Sequence, residues 1–187
     1  MQNMPGREAD RLDCLHALGI LFSEPSEPFD RVCELVLAQF GVTGAFISFI
    51  DTSTQWFKAR IGIDLPGTRR DIAFCAHTIM SDEVFVIEDA QTDERFAGNP
   101  LVLGKPRIRF YAGAPLVYAP GLGIGSVCAI DQRPRSFSVA ERKMLASYAA
   151  IVVSQLRLMS AVRLLRRGFE DQARLENEVA MLNRAAR

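Results

Sequence analysis

The segment FCAHTIMSDE, at residues 74–83, places a cysteine and a histidine two positions apart, and both residue types can act in nucleophilic or metal chemistry. A cysteine nucleophile needs a base within hydrogen-bond reach and commonly a third residue that orients this base. Side chains two positions apart on a helix diverge, and the sequence offers no evident third partner for Cys75 and His77. We therefore expect no catalytic residue in this segment.

A metal site in the same segment would need three or four ligands. The chain has only two histidines, and its four cysteines, Cys14, Cys33, Cys75 and Cys128, are scattered singly. This distribution matches neither a disulfide framework nor the CxxC spacing of a zinc site. We expect no metal site and no cofactor, and we expect the cysteines to be free, mostly buried thiols.

The composition is that of a folded chain, with 49% hydrophobic and 24% charged residues among 187. Lys+Arg and Asp+Glu both number 22, so no overall field favours nucleic acid or an anionic membrane. We expect no apolar run to approach the length of about 20 residues that spans a bilayer, and the start has no signal-peptide hydrophobic region. These features predict a cytoplasmic protein with no nucleic-acid and no membrane partner.

Two amphipathic helices are predicted near the start of the chain. The first covers residues 8–18, and the second runs from Ser26, as N-terminal cap, to Phe40, with Pro28 in its first turn. Apolar residues in the second helix recur at i, i+3 and i+4, which defines one buried face. Cys33 lies in this face, so it is predicted to be a core residue.

Strands are predicted where small, β-branched and aromatic residues dominate. A short helix is predicted at residues 75–81, and residues 64–74 and 90–108, which contain prolines and glycines, are predicted loops. The predicted strands cover residues 41–51, 55–62, 83–89, 110–119 and 123–131.

A long helix is predicted after Ser138, because Ser138 and Glu141 form a capping box. Continued to the end of the chain, it would be about 75 Å long at about 1.5 Å per residue. Its apolar seam beyond residue 160 would pair with the same helix of a second chain in a parallel coiled coil, or else form a partly ordered tail. The expected seam consists of Leu165, Gly168, Gln172, Leu175, Val179 and Leu182.

Seven stretches, in chain order, are similar to one bacterial subgroup of GAF domains. They are RLDCLHALGIL, FDRVCEL, QWFKARIGIDLP, FCAHTI, DERFAGNPLV, IRFYAGAPL and IGSVCAIDQRPRSFS, and the resemblance extends over about residues 10–155. The resemblance implies an α+β fold, sandwich-like in its layers: a GAF/PAS-like central antiparallel sheet with flanking helices and a long C-terminal exit helix. It implies a GAF sensory domain over residues 8–160 and a coiled-coil signalling helix over residues 161–187.

The resemblance also implies a sensory function rather than an enzyme in itself. GAF domains of this kind bind a ligand or a partner and pass the signal through their terminal helices to an output domain, of the histidine kinase or diguanylate cyclase type. No such module follows in this sequence, so we expect either a piece of a longer two-component or related sensor or a homodimer, through the C-terminal helix, that works alone.

An aromatic pocket for an unknown small-molecule ligand is predicted between the first hairpin and the segments around residues 74–81 and 109–111. Two alternatives remain open: a dimerisation module whose pocket is filled by its own side chains, and a thiol redox sensor or enzyme that uses Cys75 and Cys128. The expected ligand-binding residues are Trp56, Phe57, Phe74, Cys75, His77, Arg109, Phe110, Tyr111 and Cys128.

Three more specific GAF activities lack their motifs. Bilin-carrying relatives place a histidine immediately after the anchoring cysteine, whereas here Ala76 separates Cys75 from His77. The cysteine arrangement of the free methionine sulfoxide reductases and the motif of cyclic-nucleotide-binding GAF domains are not recognisable. Haem ligation by His77 is a further hypothesis that the sequence leaves open.

Overall fold

The computed structural model describes the backbone of residues 5–185 and their side chains except those of residues 5–6, 177–180 and 182–185. The chain divides into two compact units, the first ending at Val153 and the second beginning at Ser154. The helices are α1 Pro5–Leu18, α2 Glu27–Phe40, α3 Phe74–Thr78, α4 Pro100–Leu103 and α5 Val139–Ala185, with a 3-10 helix at Arg70–Ile72. The strands are β1 Gly44–Ile50, β2 Thr54–Ile61, β3 Gly67–Arg69, β4 Phe85–Ile87, β5 Phe110–Ala119 and β6 Leu122–Asp131.

The six strands form one antiparallel sheet in the order β3-β2-β1-β6-β5-β4. All seven residues of the central strand β1 are buried, because it is paired on both sides and covered on both faces. The hairpin β5–β6 turns at Gly121, whose φ of 72° is a conformation that glycine adopts at little cost. The predicted central antiparallel sheet with flanking helices is confirmed.

Opposite faces of the sheet carry different helices, as the period of two in a strand requires. Helix α2 contacts β1, β2 and β6, and its Cys33 lies against the backbone of Ile47. Helix α3 contacts β1, β5 and β6, on the face to which Phe46 and Ile50 point. The predicted apolar stripe of α2 is buried, Cys33 included, so the sequence pattern placed this helix correctly.

The predicted capping box at the start of α5 is present. The Ser138 backbone N–H donates to Glu141 Oε2 at 2.7 Å, and the Glu141 N–H donates to Ser138 Oγ at 3.2 Å. The expected side-chain cap of α2 is wrong. Ser26 occupies the N-cap position, but its side chain makes no capping hydrogen bond, and its carbonyl instead accepts from Phe29 N at 2.9 Å.

Two short elements replace parts of the predicted loops. Strand β3 has three residues and forms by pairing with β2, so its cause is a neighbouring strand rather than its own pattern. Helix α4 has four residues, and Asn99 caps it by accepting from Leu101 N at 2.9 Å. Elements this short carry too few residues for a periodic signal.

Within the first unit, the start of α5 buries Leu145, Ala149 and Val152. One stretch of the described residues, Val139–Glu176, is long and apolar enough to cross a membrane by length and composition, with a window of mean hydropathy 1.4 that is 28% buried. The expectation that no run approaches this length is therefore wrong by that criterion. A single such helix is weak evidence for a membrane span, because the core helix of a soluble protein passes the same test.

The second unit is helical over its described residues, and large apolar side chains are exposed along it. Four of them recur at steps of 4, 3 and 4 residues: Leu158, Val162, Leu165 and Phe169. This row and the expected one both alternate steps of 3 and 4 residues, and the two share only Leu165. Val179 and Leu182 of the expected seam lie outside the described side chains.

Candidate functional site

Five of the nine expected ligand-binding residues meet on the α3 face of the sheet. All belong to one core cluster, and none is more than 4% exposed. The five residues come from β2, α3, β5 and β6, so the tertiary fold rather than one local segment brings them together. Its five expected members are Phe57, Phe74, Cys75, Tyr111 and Cys128.

Trp56 and Phe110 point to the other face of the sheet, which corrects the expectation for both. Trp56 stacks on Phe49 with ring centroids 6.3 Å apart, and Phe110 contacts Phe137 with centroids 5.5 Å apart. Each of the two is the direct neighbour of a strand residue that does join the cluster. Consecutive strand residues alternate between faces, so two adjacent aromatic residues cannot form one wall.

His77 lies at the surface, away from the buried Cys75 of the same short helix. Its ring centroid is 4.9 Å from that of Phe96, in an edge-on arrangement. Burial lowers the pKa of His77, and the charge of Arg95 lowers it further, while Asp93 opposes both. Because the two side chains of the opening segment diverge, they form no cysteine–histidine dyad.

Arg109 is held in an ion pair at the start of β5. Its Nε and one terminal nitrogen donate to the two carboxylate oxygens of Asp89, at 2.7 and 2.5 Å. The Arg109 carbonyl also accepts from the backbone N–H of Ala90 at 2.6 Å. Arg109 therefore fastens the segment after β4 to the sheet, and it does not line the buried cluster.

Two thiols meet at the centre of the cluster. Cys75, in the first turn of α3, and Cys128, in β6, have their sulfur atoms 3.4 Å apart, and both residues are fully buried. Polar groups surround this pair in an otherwise apolar core. Among the described residues, no buried side-chain nitrogen or oxygen lacks a hydrogen-bond partner.

Cys75 Sγ accepts two hydrogen bonds from fixed donors. The Thr68 hydroxyl donates to Gln55 Oε1 at 3.1 Å, which fixes the amide orientation, and Gln55 Nε2 then donates to Cys75 Sγ at 3.0 Å. Tyr111 Oη donates to the same sulfur at 3.3 Å and lies 2.6 Å from Thr78 Oγ1. Two donors aimed at one sulfur favour its thiolate form.

Cys128 lies among hydroxyl groups. Its sulfur is 3.2 Å from Tyr111 Oη and 3.1 Å from Ser126 Oγ, and Ser126 Oγ is 3.3 Å from Ser48 Oγ. Tyr111 thus contacts both sulfurs. The polar groups form one continuous hydrogen-bonded cluster from β1 across β6 to β5.

The pKa values of the two thiols are displaced in opposite directions. Burial raises the pKa of Cys75, but hydrogen bonding in the polar cluster outweighs burial and lowers it to about 7, with Cys128 as the largest contributor, followed by Ser126, Ser48 and Tyr111. Burial raises the pKa of Cys128, and its hydrogen bond to Cys75 raises it further. The first proton to leave the pair therefore comes from Cys75.

The interior beside Cys75 has almost no free space. The cavity there measures about 10 Å³, which holds about one water molecule, whereas small-molecule pockets measure about 300–1,000 Å³. Phe74 and Phe96 stack with centroids 4.3 Å apart and help to fill the space. The polar residues that line this cavity are Gln55, Thr68, Cys75 and Tyr111.

Two larger depressions lie at the surface. One, of 570 Å³, lies between residues 62–65 and 105–107 and carries the exposed cations Lys105 and Arg107 beside Asp64. The other, of 610 Å³, includes His77 together with Arg69 and Arg70, whose charges are paired with Asp71 and Glu8. Its lining residues are Thr52, Ser53, Arg69, Arg70, Asp71, Ala76, His77 and Met80.

The family of the chain follows from comparison with known proteins. The GAF domain family model matches residues 24–156, which is more than half of the chain. The chain belongs to the GAF domain family. The predicted resemblance, made from seven short stretches, is confirmed.

This GAF domain has a relative in sequence and resembles solved structures in fold. The chain is 38% identical over 181 residues to cyclic di-GMP phosphodiesterase PA2567 of Pseudomonas aeruginosa, covering 95% of this chain but only 31% of that protein. The GAF domain of a phosphoenolpyruvate-protein phosphotransferase from Acinetobacter superposes with a TM-score of 0.62 at 19% identity, covering 85% and 98% of the two chains. Free methionine-R-sulfoxide reductase from Neisseria meningitidis superposes with a TM-score of 0.58 at 14% identity, covering 85% and 88%.

Several residues of the polar cluster in this GAF domain were not predicted from the sequence. Each of these residues is two positions along a strand, or three along a helix, from a predicted ligand-binding residue. Each therefore points to the same face as that predicted residue. Ser126 is two residues before Cys128 on a strand, Gln55 is two before Phe57, and Thr78 is three after Cys75 on a helix. Buried polar residues at these spacings would have indicated a polar centre in the core.

Gly113 makes room for the centre of the cluster. A Cβ atom at this position would lie 2.7 Å from Thr78 Oγ1 and would overlap the Tyr111 hydroxyl. The Tyr111 hydroxyl therefore reaches Thr78 only because residue 113 has no side chain.

Among the described residues, no group of three or more His, Cys, Asp or Glu could hold a metal ion.

Proposed function

We propose that this GAF domain is a cytoplasmic regulatory module that controls an output domain of a bacterial signalling protein and is not an enzyme in itself. The main support comes from the match to a cyclic di-GMP phosphodiesterase of Pseudomonas aeruginosa. The match covers 95% of this chain but only 31% of that protein. A segment that occupies a minor part of an enzyme fits a regulatory role. The relative adds a phosphodiesterase to the kinase and cyclase outputs that the family resemblance implied.

Arg135 supplies a contact route from the sheet to the start of the exit helix. Its backbone N–H donates to the Glu88 carbonyl at 3.1 Å, and its guanidinium donates to the Phe40 carbonyl at 2.6 Å. The same guanidinium lies 3.6 Å from the Glu141 carboxylate and 5.5 Å from the centroid of Phe110. A rearrangement of β5 or β6 would therefore change the contacts that Arg135 makes with the first turn of α5.

The C-terminal helix is proposed to pair with its equivalent in a second chain. The exposed row of Leu158, Val162, Leu165 and Phe169 has the 4-3-4 spacing of a coiled-coil seam, and each residue is more than half exposed. On this basis residues 8–160 form the sensory domain, and residues 161–187 form the signalling helix of a homodimer.

Dimerisation is tested with a pair of neighbouring substitutions. Leu165 lies in the row and is 63% exposed, whereas Leu164 lies outside it and is 65% exposed. We expect sedimentation velocity to give a dimer for the native chain and for Leu164→Glu, and a monomer for Leu165→Glu. Equal sedimentation coefficients for all three forms would contradict the proposed seam.

Regulation is tested in a chimera, in which this chain replaces the matching segment of the Pseudomonas phosphodiesterase. We expect the chimera to hydrolyse cyclic di-GMP at a rate that changes severalfold with Leu165→Glu and stays unchanged with Leu164→Glu. A form that lacks the segment serves as the reference. Equal rates in the chimera, both variants and the deleted form would contradict a regulatory role.

A small-molecule ligand is proposed, as a second function, for the surface rather than for the interior. The filled interior favours the dimeric module over an interior binder, whereas the depression at residues 62–65 and 105–107 has the volume of a ligand site and two exposed cations. An anionic ligand would suit Lys105 and Arg107. Native mass spectrometry of the purified chain and of a Lys105→Ala, Arg107→Ala variant tests this, since a co-purifying anion should be lost in the variant.

A further inference from the structure

We propose that Cys75 and Cys128 form a reversible dithiol–disulfide pair, oxidised by a small hydroperoxide such as hydrogen peroxide. The buried core of this GAF domain would then itself be the site that receives a redox signal. Only the effect on an output domain rests on the regulatory function proposed above, because the oxidation is a property of this chain alone.

The distance between the two sulfurs is the first support. The thiols come from α3 and β6, 53 positions apart in sequence, and meet at 3.4 Å with no side chain between them. A disulfide has a sulfur–sulfur distance of about 2.05 Å, so the sulfurs must approach by about 1.4 Å. This approach is within the range of small side-chain rotations and a slight displacement of a five-residue helix.

The donors around Cys75 are the second support. Gln55 Nε2 and Tyr111 Oη both donate to Cys75 Sγ, and Thr68 holds the Gln55 amide in the orientation that this requires. The thiolate is the reactive form of cysteine, and hydrogen-bond donors stabilise it. The lowered pKa of Cys75 and the raised pKa of Cys128 agree with the assignment of Cys75 as the attacking thiol.

The cavity beside Cys75 is the third support, because it limits the oxidant by size. Its volume of about 10 Å³ accepts about one water-sized molecule, and Gln55, Thr68 and Tyr111 provide polar groups on its wall. Hydrogen peroxide is close to this size, whereas a disulfide such as oxidised glutathione is far larger. We therefore expect peroxide, and not oxidised glutathione, to react with the folded chain.

The reaction balances in two steps. The Cys75 thiol first loses its proton, the thiolate attacks one oxygen of hydrogen peroxide, and the O–O bond breaks, which gives a sulfenic acid on Cys75. The departing hydroxide takes up the proton that the thiol released and leaves as water. Cys128 sulfur then attacks Cys75 sulfur, the S–O bond breaks, and hydroxide leaves with the Cys128 proton as a second water. Two thiols lose two electrons in total, and a dithiol reductant restores them by exchange.

Oxidation removes the acceptor that organises the cluster. A disulfide sulfur is neutral and accepts hydrogen bonds weakly, so Gln55 Nε2 and Tyr111 Oη would lose the thiolate acceptor in a fully buried place. Unsatisfied buried donors are costly, and the side chains of β2 and β5 are expected to rearrange. Strand β6, which carries Cys128, is joined to α5 by residues 132–138.

The experiment uses the full chain, reduced and then exposed to hydrogen peroxide. After free thiols are blocked under denaturing conditions, a tryptic digest without reductant places Cys75 in the peptide 71–95 and Cys128 in the peptide 110–135. We expect these two peptides to be joined, and dithiothreitol to separate them. Cys33 is the matched control, because it is also buried but has no second thiol beside it, and it should remain blockable.

Two variants keep the test informative if a disulfide is not seen directly. In Cys128→Ser, we expect the sulfenic acid of Cys75 to persist and to react with dimedone. In Tyr111→Phe, which keeps the ring, we expect oxidation at pH 7 to be about fivefold slower, because the loss of one donor raises the pKa of Cys75 by about one unit. The proposal is overturned if both thiols stay reduced at peroxide concentrations that oxidise Cys14, or if they oxidise without joining.

The chimera with the phosphodiesterase separates this proposal from the regulatory one. A joined peptide pair with no change in cyclic di-GMP hydrolysis would leave the redox chemistry standing and contradict control of the output by this site. Hydrolysis that responds to Leu165→Glu, with no joined peptides after peroxide, would contradict only the redox proposal.

Discussion

Cys33 and Cys75 are both buried thiols, and they lie on opposite faces of one sheet. Burial raises the pKa of Cys33 to about 12, and the nearby Asp30 adds to this. Cys75 is buried at least as deeply, yet its pKa is lowered to about 7 by the hydrogen bonds around it. The difference shows that the polarity of the neighbours, rather than depth, decides the chemistry of a core cysteine.

The largest expected effect comes from filling the space at the centre of the polar face. Gly113→Ala places a Cβ against Thr78 Oγ1 and the Tyr111 hydroxyl, so we expect a loss of about 3 kcal/mol in the free energy of unfolding. Gly98→Ala is the control, because its Cβ would meet nothing within 4 Å. Urea unfolding measures both, and similar stabilities for the two variants would contradict the packing described for Tyr111.

Serine at each cysteine position compares the two faces directly. In Cys33→Ser the hydroxyl enters the apolar α2 face, and we expect a loss of about 2 kcal/mol in the free energy of unfolding. In Cys75→Ser the hydroxyl finds the donors Gln55 and Tyr111, and we expect a loss of about 1 kcal/mol. Reversal of this order in urea unfolding would mean that the donors around Cys75 do not act as described.

The pH dependence of stability should follow the lowered pKa of Cys75. Its unfolded value is near 9.0 and its folded value about 7, so the unfolded chain binds more protons between these pH values. The contribution is complete above pH 9 and is lost as the pH falls through 7. Under reducing conditions we expect Cys75 to contribute a rise of about 2 kcal/mol in the free energy of unfolding from pH 7 to 9, measured as the difference between the native chain and Cys75→Ser.

Cys75→Ser is the control for this pH dependence, since it removes the titrating thiol and leaves Cys33 in place. Near and above pH 9 the raised pKa values of Cys33 and Cys128 act in the opposite direction, because the unfolded chain then releases protons that the folded chain keeps. An identical rise between pH 7 and 9 in the variant would assign the effect to another group.

The smallest effect on the free energy of unfolding is expected for His77, near the C-terminal end of helix α3. His77 is exposed, so His77→Ala should change the free energy of unfolding by less than about 0.5 kcal/mol. Cys75 two positions earlier provides the contrast within one helix. A loss of several kcal/mol in thermal or urea unfolding would make His77 part of the core.

Much of the fold could be predicted because its signals are local. Spacings of two to four residues are enough to predict the apolar stripe of α2, the capping box at Ser138 and the strands of the hairpins β1–β2 and β5–β6. The short β3 and α4 were missed, since they depend on a neighbouring strand and on one cap rather than on a period.

The site was predicted only in part, because its contacts span large separations in sequence. Gln55 and Cys75 are 20 positions apart, and Cys75 and Cys128 are 53 apart, so no local pattern brings them together. The aromatic pairs Trp56–Phe57 and Phe110–Tyr111 are both predicted to line the pocket. The alternation of strand side chains already indicates that the two members of each pair point to opposite faces of the sheet.

The order of the strands bears on how copies of this chain can associate. The ten-residue strands β5 and β6 are inside the sheet, and each of its two edges is a strand of only three residues, β3 and β4. Short edges offer few unpaired backbone groups to the strand of another molecule, which limits aggregation through added strands. Association by sheet extension is thereby discouraged, which agrees with the proposal that two copies pair through the apolar row on the C-terminal helix.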